Sequence, residues 1–136
     1  MAATLQFELV SPEKLLINKP VGMVTVPGGE GAYGVLVGHA PMITTVLPGV
    51  IDIYTNANDT APSERLFVSG GFAEVTPERC TILADESLPV EELKREALQV
   101  EAQEVSAKLA ATTDDNERSS LMVRQAVIEA KLQHAA

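Results

Sequence analysis

Apolar and polar residues alternate through the first part of this chain and recur at helical spacing through the last. Leu5, Phe7 and Leu9 are separated by Gln6 and Glu8, the period of a strand with one buried face. Val24 with Val26, Ile51 with Ile53, Phe67 with Val68, Val75, and the run Cys80 to Ala84 mark further strands. Between them lie Pro27-Gly28-Gly29, Pro48-Gly49, Asn56 to Ser63, Gly70-Gly71 and Thr76-Pro77. Short strands with regular turn punctuation predict a β-sandwich or barrel over residues 1–86, with a core held between two sheets.

After Asp85 the period changes. Ser87 or Leu88 is placed to cap a helix, Pro89 suits a first turn, and Glu91 and Glu92 complement the positive end of the helix dipole. Leu98, Ala102, Val105 and Leu109 share one helical face, and Leu121, Gln125, Ile128 and Leu132 share another. Thr112 to Asn116 separates them, with Asp114 and Glu117 at the spacing of a capping box. Residues 87–136 therefore read as an antiparallel two-helix hairpin. Its stripes are thin and rich in alanine, so little apolar area leaves water when the helices pair. Such a hairpin is expected to dock on something, and in more than one place.

Composition narrows the class. The 136 residues are 46% hydrophobic with no Trp and 4% aromatics, so the core must be aliphatic. A net charge of −9 argues against nucleic acid and against an anionic membrane surface as partners. No apolar run approaches the roughly 18 residues of a membrane span. The opening residues lack the features of a signal or transit peptide. Cys80 is the only cysteine, which excludes an internal disulfide and fits a reducing compartment. The expectation is a soluble cytoplasmic protein.

Candidate chemistry is sparse. Gly29-x-Gly31-x-x-Gly34 matches the dinucleotide fingerprint in letters, but Val35-Leu36-Val37 follows where a phosphate-binding helix would have to start. The favoured reading is a hairpin tip presenting Glu30 and Tyr33 to a partner. His39 and His134 are the only histidines, and with one cysteine they form no metal-ligand spacing. No Gly-x-Ser-x-Gly elbow is present. Gly38-His39-Ala40-Pro41 reads as a stiff corner with His39 as a turn or contact residue. Gly70-Gly71 reads as a turn, and Cys80 as buried and inert. Arg124 and Lys131, two turns apart, share a face of the second helix, with Arg118 near its start. Ordinary solvated charge is the default for this strip, and an acidic partner surface is the sharper reading.

Several separated motifs carry a resemblance. Phe7-Glu8-Leu9-Val10-Ser11-Pro12, the glycine-rich tip, Gly38 to Pro41, Leu47 to Val50, Phe67 to Phe72 and Thr81 to Asp85 occur in an order that resembles the epsilon subunit of F-type ATP synthases, called delta in mitochondria. The resemblance spans nearly the whole chain. It implies a β-sandwich of about ten strands followed by a regulatory helical hairpin, and a non-catalytic rotor subunit of the central stalk. Such a subunit couples proton-driven rotation to ATP synthesis and restrains ATP hydrolysis, at the cytoplasmic face of a bacterial inner membrane. Implied partners are the gamma subunit, the ring of membrane rotor subunits, and the beta and alpha subunits. Glu30, Gly31, Ala32, Tyr33, His39, Ala40, Pro41 and Met42 are the implied ring contacts, with Ala32 where related chains often carry an acid. Arg118, Arg124 and Lys131 are the implied contacts to the catalytic head. Some relatives bind ATP as a regulatory ligand. The nearest residues here are Glu91, Lys94 and Arg95 with Arg124, where Glu replaces Asp and Lys replaces Arg with loss of two-pronged geometry. No cofactor, metal or catalytic residue is implied. The other readings are a free-standing sandwich module with a helical dimerisation tail and, with less support, a small nucleotide-binding enzyme.

Overall fold

The computed structural model describes residues 4–29 and 31–135. Glu30, expected at the hairpin tip, lies outside the described residues. The chain divides into two compact units, Met1–Pro89 and Val90–Ala136.

The first unit is a β-sandwich of ten strands: β1 (Leu5–Val10), β2 (Leu15–Val21), β3 (Met23–Gly28), β4 (Gly31–Val35), β5 (Met42–Val46), β6 (Gly49–Tyr54), β7 (Glu64–Val68), β8 (Gly71–Val75), β9 (Arg79–Ala84) and β10 (Ser87–Pro89). One hydrogen-bonded path runs β10-β7-β6-β3-β5-β8-β9-β1-β2, with β4 paired to β3. The β3–β5 junction is a single pair, Gly28 with Val46, so the path folds there into two runs of five strands. Neighbours are antiparallel except β1 and β9, which run parallel with Phe7 opposite Cys80. An ion pair from Lys19 on β2 to Glu64 on β7 links strands near the two ends of the path.

Alternation along the strands builds the core. Leu5, Phe7 and Leu9 point inward with Val24, Val26, Ile51, Ile53, Val75, Cys80 and Ile82, and among the described residues no charged or polar residue is fully buried. The expected strands are all present. Three others carry weak periodic signals: β2 contains Pro20, β4 is mostly Gly and Ala, and β5 has the polar pair Thr44-Thr45 at its centre.

Gly70-Gly71, expected as a turn, marks the crossing between the two runs. Gly70 carries φ of 121° and Gly71 φ of 147°. Gly71 opens β8 so close to β9 that a Cβ there would meet the Leu83 carbonyl oxygen at 1.9 Å. Only glycine permits that approach.

Ser87, Leu88 and Pro89, expected to start the helix, instead form β10 opposite Val68, Phe67 and Leu66. Pro89 has no N–H to donate, and it stands at the end of this edge strand, where a missing donor is tolerated. The division between units therefore falls after Pro89 rather than after Glu86.

The second unit opens with a 3₁₀ turn, Val90–Glu92, and continues as α1 (Arg95–Ala111) and α2 (Asp115–His134). Asp114 caps α2 by accepting from the Asn116 N–H at 3.0 Å, one residue short of the Glu117 spacing of a capping box. Within the two helices only Leu98, Val105 and Ile128 are buried.

Candidate partner-binding surfaces

The two runs of strands present different outer faces. Register aligns Thr45 of β5, Phe72 of β8, Leu83 of β9, Val10 of β1 and Leu15 of β2 in one transverse row. Phe72 is 59% exposed, Leu83 47% and Leu15 53%. Ile43, beside this row on β5, is 77% exposed, the highest value of any large apolar residue described. Leu47 follows β5 at the same end. Every exposed large apolar residue that lies on a described strand belongs to this run of five. Single exposed apolar residues are ordinary, but a row aligned across four strands is the mark of a surface that meets another chain.

The same face becomes polar further along. Glu74, Thr81, Glu8 and Asn18 form the next row, and Arg79 pairs with Glu8 beyond it. On the other run Arg65 of β7 donates to Asp52 of β6 at 2.8 Å, and the row beside them, Val50, Phe67 and Leu88, is apolar but not exposed.

The expected ring contacts separate into two places. Gly31, Ala32 and Tyr33 begin β4 at the β3–β4 tip, where Gly28 faces Gly31. His39, Ala40 and Pro41 form the corner after β4, and Met42 starts β5. Tip and corner therefore stand at opposite ends of β4, about 13 Å apart at the usual rise per residue. The tip shares its end of the sandwich with Leu47, Gly70 and the apolar row. The corner shares its end with the β8–β9 turn, where the Gly38 N–H donates to the Pro77 carbonyl at 2.6 Å. Gly38 takes φ of 88° to make this turn, and His39 Nδ1 lies 2.7 Å from the Ala40 carbonyl.

Gly31, Ala32, Ala40 and Pro41 are exposed, and His39 is half-buried. Tyr33, expected to face a partner, instead packs against the core, as does Met42. Alternation along β4 explains it: Val35 points inward, so Tyr33 does too, and Ala32 and Gly34 point outward. The Tyr33 hydroxyl is buried without a hydrogen-bond partner, and burial first, then the nearby Cys80 charge, raises its pKa. The glycine pattern leads into β4 and no helix follows it, so the phosphate-cradling geometry of a dinucleotide loop is missing.

On the hairpin, Arg124 pairs with Glu101 of α1 at 2.5 Å. Arg118 donates to the Thr112 carbonyl at 3.2 Å and closes the inter-helix turn. Six positions separate Arg118 from Arg124, about 120° around the helix, so Arg118 lies off the strip that Arg124 and Lys131 share. Glu91 sits in the 3₁₀ turn, and Lys94 is the N-cap of α1. Arg95 donates to the carbonyls of Leu132 at 3.2 Å and Ala135 at 3.0 Å. Its role was not readable in the sequence, because these partners are 37 and 40 residues away. No helix among the described residues is long and apolar enough to cross a membrane.

Comparison with known proteins agrees with this geometry. Residues 4–90 match the family described as ATP synthase, Delta/Epsilon chain, beta-sandwich domain. The chain is 50% identical over 135 residues to the ATP synthase epsilon chain of Rhodospirillum centenum, covering 97% of this chain and 92% of that one. It is 48% identical over 136 residues to the ATP synthase epsilon chain of Paramagnetospirillum magneticum, covering 100% and 98%. Among solved structures, a chain of the Euglena gracilis mitochondrial ATP synthase (OSCP/F1/c-ring) matches with a TM-score of 0.79 and 26% identity, over 96% of this chain and 80% of that one. A chain of the Tetrahymena thermophila mitochondrial ATP synthase central stalk and c-ring shares the fold, with a TM-score of 0.64 and 12% identity.

Proposed function

The chain belongs to the ATP synthase delta/epsilon family as a non-catalytic subunit, and from that premise we propose that it carries torque between the membrane rotor ring and the gamma subunit. The observation that carries this reading is the apolar row of Phe72, Leu83, Val10 and Leu15 with Ile43 beside it. Gamma docks on this outer face, and the face bearing the Asp52–Arg65 pair looks outward. The tip at Gly31 and Ala32 rests on the ring, at the same end of the sandwich as the row. The subunit works as a peripheral component on the membrane surface, without inserting a helix.

The hairpin restrains ATP hydrolysis. In its closed form Arg124 is held by Glu101, and reaching an acidic surface on the catalytic head requires that pair to break. Such a surface pair contributes little, so the exchange is cheap. Regulation uses no ATP bound between the helices, because Glu91 and Lys94 stand where such a site carries Asp and Arg, and Lys lacks the two-pronged geometry.

The docking face is tested by measuring gamma affinity for Phe72→Glu, Leu83→Glu and Arg65→Ala. A buried aromatic anchor is worth about 2 kcal/mol or more, so the first two substitutions should each weaken binding about 30-fold. Arg65→Ala should leave it within about twofold. Loss of affinity from Arg65→Ala, with none from Phe72→Glu, would place gamma on the other face.

A further inference from the structure

Helix α1 begins in a way its own sequence does not favour. Its N-cap, Lys94, makes no side-chain hydrogen bond to the first turn. Lys94 and Arg95 put two cations at the positive end of the helix dipole, against a single acid in the first turn, Glu96. An α-helix normally opens with the reverse arrangement, an Asp, Ser, Thr or Asn cap followed by acids. Local preference and observed structure disagree here, and such conflicts mark places where another contact settles the conformation.

That contact comes from the far end of the hairpin. The last carbonyls of a helix have no partners within it, and they form the negative end of its dipole. One guanidinium nitrogen of Arg95, Nη2, donates to the carbonyls of Leu132 and Ala135, in and just beyond the last turn of α2. The cation is unfavourable for α1 alone and favourable for α1 beside α2.

We propose that Arg95 is a latch that sets the balance between the closed and open hairpin. The apolar seam is thin, with Leu98, Val105 and Ile128 the buried residues within the helices and Leu93 and Ala135 buried just outside them. The Arg124–Glu101 pair is largely exposed and adds little. Arg95 joins the two ends that must separate first. Opening strips it of both acceptors and leaves it at the wrong pole of α1, so separation of the helices and fraying of the first turn of α1 occur together. The latch involves Val90–Ala136 alone and stands whether or not the hairpin reaches the catalytic head.

The test uses the full chain with Gln99→Cys and Gln133→Cys, both exposed positions, carrying spin labels for distance measurement by electron paramagnetic resonance. Buried Cys80 stays unlabelled. With Arg95 in place, one short distance should dominate. Arg95→Glu should introduce a broad, longer population, with the open-to-closed ratio raised about tenfold, the equivalent of one charge-assisted hydrogen bond. Helical circular dichroism should hold or rise, because an acid suits the first turn of α1 better than a cation. That separates unlatching from melting. Arg95→Ala, a change to the strongest helix former, should also lengthen the distance. An unchanged distance distribution in both variants would overturn the latch.

Discussion

At the scale of single residues, burial decides which groups keep their chemistry. Cys80 lies in the core opposite Phe7, and burial pushes its thiol from an ordinary value of 9.0 up to about 12. The unfolded chain therefore loses this proton first. Above pH 9 it binds fewer protons than the folded chain, so stability falls as pH rises, by about 1.4 kcal/mol per unit from this group, until about pH 12. Below pH 9 the group contributes no slope. Urea denaturation at a series of alkaline pH values checks this. Cys80→Val should flatten that part of the profile, and an unchanged profile would show that the thiol does not govern it. Cys80 was legible in the sequence because strand alternation alone assigns it inward. Arg95 was not: a guanidinium among polar residues looks like solvated charge until distant chain is folded against it. Tyr33 was misread for a related reason, since a glycine-rich tip hides the alternation that turns its ring inward.

At the scale of elements, the length and contrast of each apolar pattern decided what could be read. β1, β6 and β9 announce themselves through clean alternation, and α1 and α2 through seven-residue spacing. β10 is three residues long and contains a proline, which outside the sheet reads more naturally as a helix start. Only the strand it pairs with decides otherwise, and pairing is not written locally. The same contrast predicts uneven stability. The sandwich closes a continuous aliphatic core, whereas only three side chains within the helices are buried, with Leu93 and Ala135 beside them. Amide hydrogen exchange should therefore be faster in α1 and α2 than in β1, β6 and β9, by a factor on the order of a hundred. Equal protection in the two units would mean that the hairpin is held far more firmly than its seam allows.

At the scale of the whole molecule, a subunit that transmits torque needs stiffness and broad contact more than reactive groups. The ten-stranded sandwich supplies the first, through its continuous aliphatic core. The exposed apolar row on one outer face is the surface proposed for the second. The motifs that carried the family resemblance lie mostly in strands and turns that shape this sandwich, so the fold was legible from them. The apolar row was not, because Phe72, Leu83, Val10 and Leu15 are scattered over some seventy positions and only strand register gathers them. The central claim is that this chain is a rotor component joined to gamma. The most direct measurement is size-exclusion co-elution with a catalytic head that contains gamma but lacks its own epsilon. The account predicts a one-to-one complex at micromolar concentration that survives removal of residues 90–136, with faster ATP hydrolysis after the removal. Separate elution of the full chain and the head would contradict it.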